Sequence, residues 1–486
     1  MNYALRLAVS GWSLLAVAAA LAAPASRPNV LFIAFDDLRV NLGCYGDPVA
    51  LTPNIDALAA RSVRFTRAYT QQAVCNASRQ SLLTGRRPDT IRVWDLVTHF
   101  RKTSPGVVTL PEYFKNNGYL AQSFGKIFHG EAPMADPPSW SVPEQLQYIA
   151  KRDDYQLPEN RAPRKTQKAA ATEFTGDNAE DYPDGKVAAL AIGALEQRAK
   201  DTSGAPFFLA VGFMKPHLPF TAPRQYWDMY DKVTIPGLVQ PAPPRDAPTL
   251  ALHNSTELRG YSDMPSSGDF SPTQIAELRK GYYASTSFTD AQLGRVLETL
   301  QRTGLDQTTV VVLWSDHGYH LGEHGLWSKT TNYEADTRIP LLISYPGQKH
   351  AGASTAALSE LLDLYPTLVD LCGLPKPAGL EGQTLRPWLE NPGHPSRKAA
   401  FSQFPRPWTY RPEPGFMGYA VRTAQNRYIE WRRFGTREVV ARELYFYQGD
   451  QLFETENVAA DPANAPLIQQ LASLLPAGPG RAVTSP

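Results

Sequence analysis

Two carboxylates stand side by side at Asp36 and Asp37, directly after the apolar run Asn29 to Phe35. Adjacent carboxylates repel unless a cation or hydrogen-bond donors compensate, and a hard divalent ion ligated by oxygens is the usual compensation. Taken alone, the pair reads first as a helix cap or a solvated turn. A second apolar run, Thr309 to Trp314, gives way to Ser315, Asp316, His317 and Gly318. If the two runs are neighbouring strands, Asp316 and His317 complete a four-residue cage with the first pair. His320 and His324 raise a zinc reading, since imidazole is a common ligand for that ion. Their spacing is not a standard zinc pattern, and Gly318, Gly322 and Gly325 break any helix that would align the rings. These two histidines are therefore expected as loop hydrogen-bonding residues or pocket lining.

The third chemical element is Cys75, in the segment Gln71-Gln-Ala-Val-Cys75-Asn-Ala-Ser-Arg79. An isolated cysteine ordinarily reads as a small buried residue. Here Ser78 and Arg79 open a helix, whose N-terminus and guanidinium together would hold an anion or a polar oxygen nucleophile beside Cys75. The other cysteines are Cys44 and Cys372, and an odd number in an exported chain leaves at least one thiol to explain.

Strands must deliver these groups. A third apolar run, Phe207 to Phe213, leads into Lys215-Pro-His-Leu-Pro219, so three strands each end in polar residues. In an open parallel α/β sheet such ends gather along one edge, where ligand sites lie. Helical patterns fall between them: Ile55 to Val63, Ser78 to Leu83, Leu110 to Asn116, Val187 to Gln197, Ser271 to Leu300 with a break near Gly281, and Leu361 to Leu371. Alternation of strand and helix favours α/β. After about Pro395, Tyr419 to Thr423, Tyr428 to Arg433 and Glu443 to Tyr447 read as a small antiparallel sheet, followed by a helix from Pro466 to Leu475.

At 486 residues the chain suits one large domain with a smaller appended unit. Hydrophobic residues at 43% and charged residues at 20% exclude disorder or a fibre. With 48 Lys plus Arg against 47 Asp plus Glu, nothing points to nucleic acid, and an anionic ligand must be met by local clusters. Arg6 followed by the uncharged stretch Leu7 to Ser26, with Ala20-Leu21-Ala22, reads as a secretory signal with a cleavage site, the competing reading being a membrane anchor. Residues 1–22 are thus expected as a signal peptide, 23–395 as a catalytic domain and 396–486 as a small C-terminal subdomain, in a periplasmic, secreted or lumenal protein with no stable membrane insertion.

At the residues singled out, the chain resembles the sulfatase family of the alkaline phosphatase-like superfamily. Cys75-Asn-Ala-Ser-Arg79-Gln-Ser-Leu-Leu-Thr-Gly85 is similar to the signature whose cysteine becomes formylglycine, with Ala77 where Pro is usual, a variant the family tolerates. Thr52-Pro-Asn-Ile-Asp56, Gly125-Lys-Ile-Phe-His129, Lys215-Pro-His217 and Lys329 follow in family order. Gln71-Gln-Ala-Val-Cys75, Leu321-Gly-Glu-His-Gly325, Phe401-Ser-Gln-Phe-Pro-Arg406 and His317 resemble the iduronate-2-sulfatase branch.

The resemblance implies a large, mixed, mostly parallel sheet sandwiched by helices. It implies a hydrolase of sulfate esters on a sulfated carbohydrate, matured by a formylglycine-generating enzyme, with 2-O-sulfate on a uronic acid as the substrate of the branch. Asp36, Asp37, Asp316, His317 and the modified residue 75 would hold one divalent ion, calcium first, with magnesium or manganese open. Asp316 is then the base of the first step and His129 of the second. His217 or Lys329 protonates the departing sugar oxygen, while Arg79 and Lys126 anchor the nucleophile and the sulfate. Trp94 to Arg101 is a candidate pocket wall, with His99 and Arg101 meeting a uronic carboxylate, although a solvated loop fits as well. The rival readings are a phosphatase or phosphonate monoester hydrolase, another polysaccharide exo-sulfatase, and a sulfated-glycan binder with unmatured Cys75.

Overall fold

The computed structural model describes residues 27–130, 134–146, 151–164, 168–408, 414–448 and 453–478, so the expected signal peptide lies outside the described residues. Strand β1 (Asn29–Asp36) lies at the centre of the main sheet, paired in parallel with β4 (Phe207–Pro216) on one side and β5 (Thr309–Ser315) on the other. Ile33 stands opposite Val211 and Leu313. All three strands are buried on both faces, which is why their sequences are continuously apolar.

Beyond β4, β3 (Leu120–Gly125) continues the parallel array. Beyond β5 comes β6 (Arg338–Ser344), antiparallel to β5 and also to β2 (Val63–Tyr69). Only β6 among these six runs against the others, and short strands Ser354–Thr355 and Ser359–Glu360 pair with β2 at that side of the sheet. The result is the mixed, mostly parallel sheet expected.

Side chains alternate across the sheet and build two apolar layers. Val30, Phe32 and Ala34 of β1 pack with Leu82 and Leu83 of α2 (Cys75–Thr84), Phe114 of α3 (Leu110–Asn116) and Leu364 and Leu368 of α6 (Leu364–Leu371). Leu31, Ile33 and Phe35 face Val187 and Leu195 of α4 (Pro183–Ala199) and Leu293, Val296 and Leu300 of α5 (Pro272–Arg302). Helix α5 passes unbroken through Gly281, contrary to the expected break. A Cβ there would come within 3.2 Å of Phe220 and Thr172, so this glycine serves close packing inside the helix. Helix α1 (Pro53–Ala59) ends earlier than its apolar pattern suggests, because Val63 and Phe65 already belong to β2.

The second sheet has four antiparallel strands, β7 (Ala400–Arg406), β8 (Phe416–Arg422), β9 (Asn426–Arg433) and β10 (Val439–Phe446), with α7 (Ala465–Ala472) packed beside it. It is tied to the segment that leads into α2: Ser402 Oγ donates to Thr70 O at 2.6 Å and the Gln403 amide to Gln71 O at 2.8 Å. The expected helix Pro466 to Leu475 is realised as α7.

Candidate active site

The five parallel strands end along one edge, and each leads into part of one polar cluster. Strand β1 ends in Asp36 and Asp37; β3 leads to Lys126 and His129; β4 to His217; β5 to Asp316 and His317; β2, through residues 70–74, to Cys75 at the start of α2. Every residue of α2 is buried, so its first turn is set firmly in the core.

Asp36, Asp37, Cys75 and His317 each offer one ligand atom, and those four atoms lie within 4.8 Å of one another, all buried. His317 Nε2 is 3.3 Å from Cys75 Sγ and 3.5 Å from Asp37 Oδ1. Asp37 Oδ1 is buried without a hydrogen-bond partner, and Asp37 itself takes a positive φ of 64°. A buried, orphaned carboxylate oxygen beside a second carboxylate is what a divalent cation would satisfy. The sulfur is the one soft donor, and its replacement by oxygen on maturation would give an oxygen-and-imidazole set suited to a hard ion.

Asp316, the fifth expected ligand, stands next to this group rather than in it. Its Oδ1 accepts the backbone amides of Asp37 and His317, and its Oδ2 accepts Arg79 Nε at 2.8 Å. Arg79, fully buried, also reaches Asp36 Oδ1 at 3.3 Å and the carbonyls of Lys126, Ile127 and Phe35. Lys126 Nζ is 2.5 Å from Asp36 Oδ2, and Lys329 Nζ is 3.0 Å from Asp37 Oδ2.

These pairings set the charges. Burial works to raise the Asp36 carboxyl, but the charges of Lys126 and Arg79 hold it well below the usual range. Burial pushes Asp37 up, aided by its neighbours Asp36 and Glu257 and opposed by Lys329 and His317. The Cys75 thiol is driven well above its ordinary value by burial and by Asp36. As an unmodified thiol it is therefore a poor nucleophile, since thiolate is the reactive form. Burial and Lys126 lower His129 to about 3, and burial and Lys329 hold His217 well below its ordinary value, so both imidazoles are neutral at pH 7.

A cavity of about 850 Å³ opens onto this cluster, with Cys75, Lys126, His129, His217 and Lys329 in its wall. His99 and Arg101 are not brought to it. Arg101 is bound to Asp136 and Glu112 at 2.6 Å each, and His99 caps the short helix Phe100–Thr103, its Nδ1 accepting the Arg101 amide. From the same segment it is Leu96 and Val97 that line the cavity. His320 and His324 form a buried chain instead, from Asp336 through His320 Nδ1 at 2.6 Å and His324 at 3.1 Å to Glu454 O at 2.8 Å.

Sequence reasoning did not single out Glu257, His253 or Asp154, which also line the cavity, and gave Arg406 no role there. Arg406 closes the motif Phe401-Ser-Gln-Phe-Pro-Arg406. The other three come from the proline-rich connections between strands, which carry no periodic signal.

The model of the family described as Sulfatase matches residues 28–374, and that of N-sulphoglucosamine sulphohydrolase, C-terminal, matches residues 322–477. The chain is 36% identical to Iduronate 2-sulfatase of Mus musculus and 34% identical to that of Homo sapiens, in each case over 91% of this chain and 93% of the relative. It is also similar to the crystal structure of Phosphonate Monoester Hydrolase of Agrobacterium radiobacter, with a TM-score of 0.76, 25% identity and coverage of 92% of this chain and 94% of the other.

Proposed function

The chain belongs to the sulfatase family, and is thus a sulfuric ester hydrolase of the alkaline phosphatase-like fold acting on sulfated carbohydrate; on that premise we propose that it removes the 2-O-sulfate of a uronic acid residue. The observation that carries the catalytic part is the buried group Asp36, Asp37, Cys75 and His317, which reaches the cavity through Cys75. The substrate part rests on likeness to the two iduronate 2-sulfatases. Arg6 and the stretch Leu7 to Ser26 support export, and among the described residues no helix is long and apolar enough to cross a membrane. Residues 1–22 are read as the signal peptide, 23–395 as the catalytic domain and 396–486 as the C-terminal subdomain.

Matured to formylglycine by its generating enzyme, residue 75 would supply in hydrated form a hydroxyl nucleophile and a second hydroxyl able to expel sulfate once deprotonated. Asp36, Asp37, His317 and residue 75, with Asp316 alongside, would hold a divalent ion able to polarise a sulfate oxygen, calcium being the best match to the oxygen-rich set. The chain's own side chains do the rest. Arg79 fixes Asp36 and Asp316 and, with Lys126, places positive charge against the sulfate oxygens. Asp316, oriented by Arg79 and two backbone amides, is the acceptor of the first proton. His129 is neutral, and its buried Nδ1 has no hydrogen-bond partner, which suits it to accept the second. Of His217 and Lys329, which stand beside Asp37 in the cavity wall, Lys329 carries the proton for the departing sugar oxygen.

The test is sulfate release by calcium-loaded, matured protein, with Cys75→Ala as control, on 2-O-sulfated uronic acid disaccharides, sulfated marine polysaccharides and a phosphate ester. Release from the uronic acid substrates alone supports the reading. Turnover only of another polysaccharide sinks the substrate part, and phosphate release without sulfate release favours the phosphonate monoester hydrolase alternative. Maturation itself is read by mass spectrometry of the tryptic peptide Ala68 to Arg79, which becomes about 18 Da lighter. A fully unmodified peptide from the native source would favour a glycan binder.

A further inference from the structure

Lys329 and His217 both face Asp37: Lys329 Nζ is 3.0 Å and His217 Nε2 4.0 Å from Asp37 Oδ2. That carboxylate also belongs to the ion-binding group. A cation bound there draws on its charge and repels a neighbouring ammonium group, so Asp37 alone is a poor anchor for Lys329. A second carboxylate meets both residues. Glu257 Oε2 is 2.9 Å from Lys329 Nζ, and Glu257 Oε1 is 3.4 Å from His217 Nε2.

The backbone around Glu257 is fixed on both sides. Ser255, buried and at a φ of 57°, accepts the Trp327 amide on its Oγ at 3.0 Å. Leu258 is fully buried in the apolar cluster that contains Trp327. Glu257 O accepts Lys168 Nζ at 2.9 Å. Trp327 is two residues before Lys329, so the same ties set the turn that carries Glu257's partner.

That turn is strained. Ser328 and Thr330 flank Lys329 with φ of 74° and 93°, values that a β-branched residue rarely adopts. Arg406 Nη2 holds Thr330 O at 2.8 Å, and Asp336 Oδ2 holds the Thr331 amide at 2.8 Å. Strain maintained by the surroundings is a mark of a functional position. His217 carries hydrogen on Nδ1, which faces the carbonyl of Leu218, so as a neutral ring it presents a bare Nε2, and Lys329 is the group that holds a proton to give. The Glu257 side chain is a quarter exposed and lines the cavity, so it stands at the substrate's side of both residues.

We propose that Glu257 is a positioning residue that holds Lys329, with His217 beside it, as the proton donor for the departing sugar oxygen. The inference rests on the hydrolase reading above. As the bond between sulfur and sugar oxygen breaks, its electron pair stays on that oxygen, which takes one proton from Lys329 and leaves as the alcohol. The sulfuryl group passes to the attacking oxygen, and the donor regains its proton from water.

Full-length, matured, calcium-loaded protein is compared with Glu257→Gln, Glu257→Ala and Glu257→Asp on a sugar sulfate and on 4-nitrophenyl sulfate, whose phenolate leaves without a proton. Loss of an assisted proton transfer should lower kcat on the sugar sulfate by about 100-fold in the Gln and Ala variants, with KM nearly unchanged. On the aryl sulfate kcat should fall by less than about threefold, and Glu257→Asp, which keeps the charge, should recover about tenfold on the sugar. Equal losses on both substrates, no loss on the sugar, or equal loss in all three variants would overturn the proposal; if the aryl ester is not turned over, the Asp recovery decides. If the unaltered protein releases sulfate from another sugar and not from the uronic acid, the substrate reading fails while the Glu257 comparison is made on that other sugar. Failure on every sugar sulfate overturns both.

Discussion

Replacing Arg79 by methionine tests whether the site is held together by charge. The side chain is fully buried, bonded to Asp316 Oδ2 at 2.8 Å and Asp36 Oδ1 at 3.3 Å, and stacked 5.6 Å from the Trp314 ring. Methionine fills similar volume but leaves two buried carboxylates without the guanidinium. Breaking a buried pair from one side costs about 3–5 kcal/mol. Asp36 keeps Lys126 and Asp316 keeps two backbone amides, so the lower end, about 3 kcal/mol, is expected. An unfolding entropy of about 2.1 cal/mol/K per residue amounts to about 1 kcal/mol/K for a chain of this length, so Tm should drop by about 3 °C. The assay is thermal melting in EDTA, with Asp316→Asn and the double variant completing a cycle. Removing the uncompensated charge should restore about 2 kcal/mol in the double variant. A strictly additive cycle, or an Arg79→Met protein as stable as the unaltered one, would refute the reasoning.

Three further outcomes are expected. Asp37→Asn should abolish the calcium-dependent gain in Tm, which for the unaltered protein at 100 times the Kd corresponds to about 2.7 kcal/mol; a variant retaining the full gain would remove Asp37 from the ion site. Glu443 is pushed up to about 7 by burial, against hydrogen bonds from Tyr445, Trp431 and Tyr333. Its folded value lies above its unfolded one, so its stabilising contribution is complete below about pH 4.5 and lost as pH rises through 7. Glu443→Gln should then gain about 3 kcal/mol on the unaltered protein between pH 4.5 and pH 8, read as a growing Tm difference, and a pH-independent difference would contradict the assignment. Arg101→Met should leave kcat on the sugar sulfate within about threefold while lowering Tm, because Asp136 and Glu112 rather than substrate are its partners; a selective rise in KM for carboxylate-bearing substrates would restore its expected binding role.

The legible parts of this chain are those in which local sequence and tertiary role coincide. Strands β1, β4 and β5 are buried on both faces and so announce themselves as apolar runs, and the polar residues that follow them mark the sheet edge. β3 and β6 were not recognised. Leu120 to Gly125 includes Gln122, Ser123 and Gly125, and Arg338 to Ser344 is interrupted by Pro340, so neither reads as a clean run. Their strand character comes from neighbours that supply the missing hydrogen bonds and cover.

The same distinction divides the site. Asp36, Asp37, Cys75, Arg79, Asp316 and His317 sit at strand ends or a helix start, where the backbone dictates their direction. Arg101 misled for the opposite reason. A guanidinium in a candidate pocket wall reads as an anion receptor until its partners are known, and those partners, Asp136 and Glu112, are 35 and 11 residues away. Glu257 is the converse case. It lies in a four-residue helical turn, Thr256–Arg259, in a connection without apolar periodicity, and 72 residues separate it from Lys329. What gives it a direction is Leu258 beside it in the core and Ser255 bonded to Trp327, contacts that exist only once β5 and α5 have brought the two segments together. A residue that acts through the groups it holds is thus invisible to motif and period alike, and its place in the reaction can be read only from the distances it keeps.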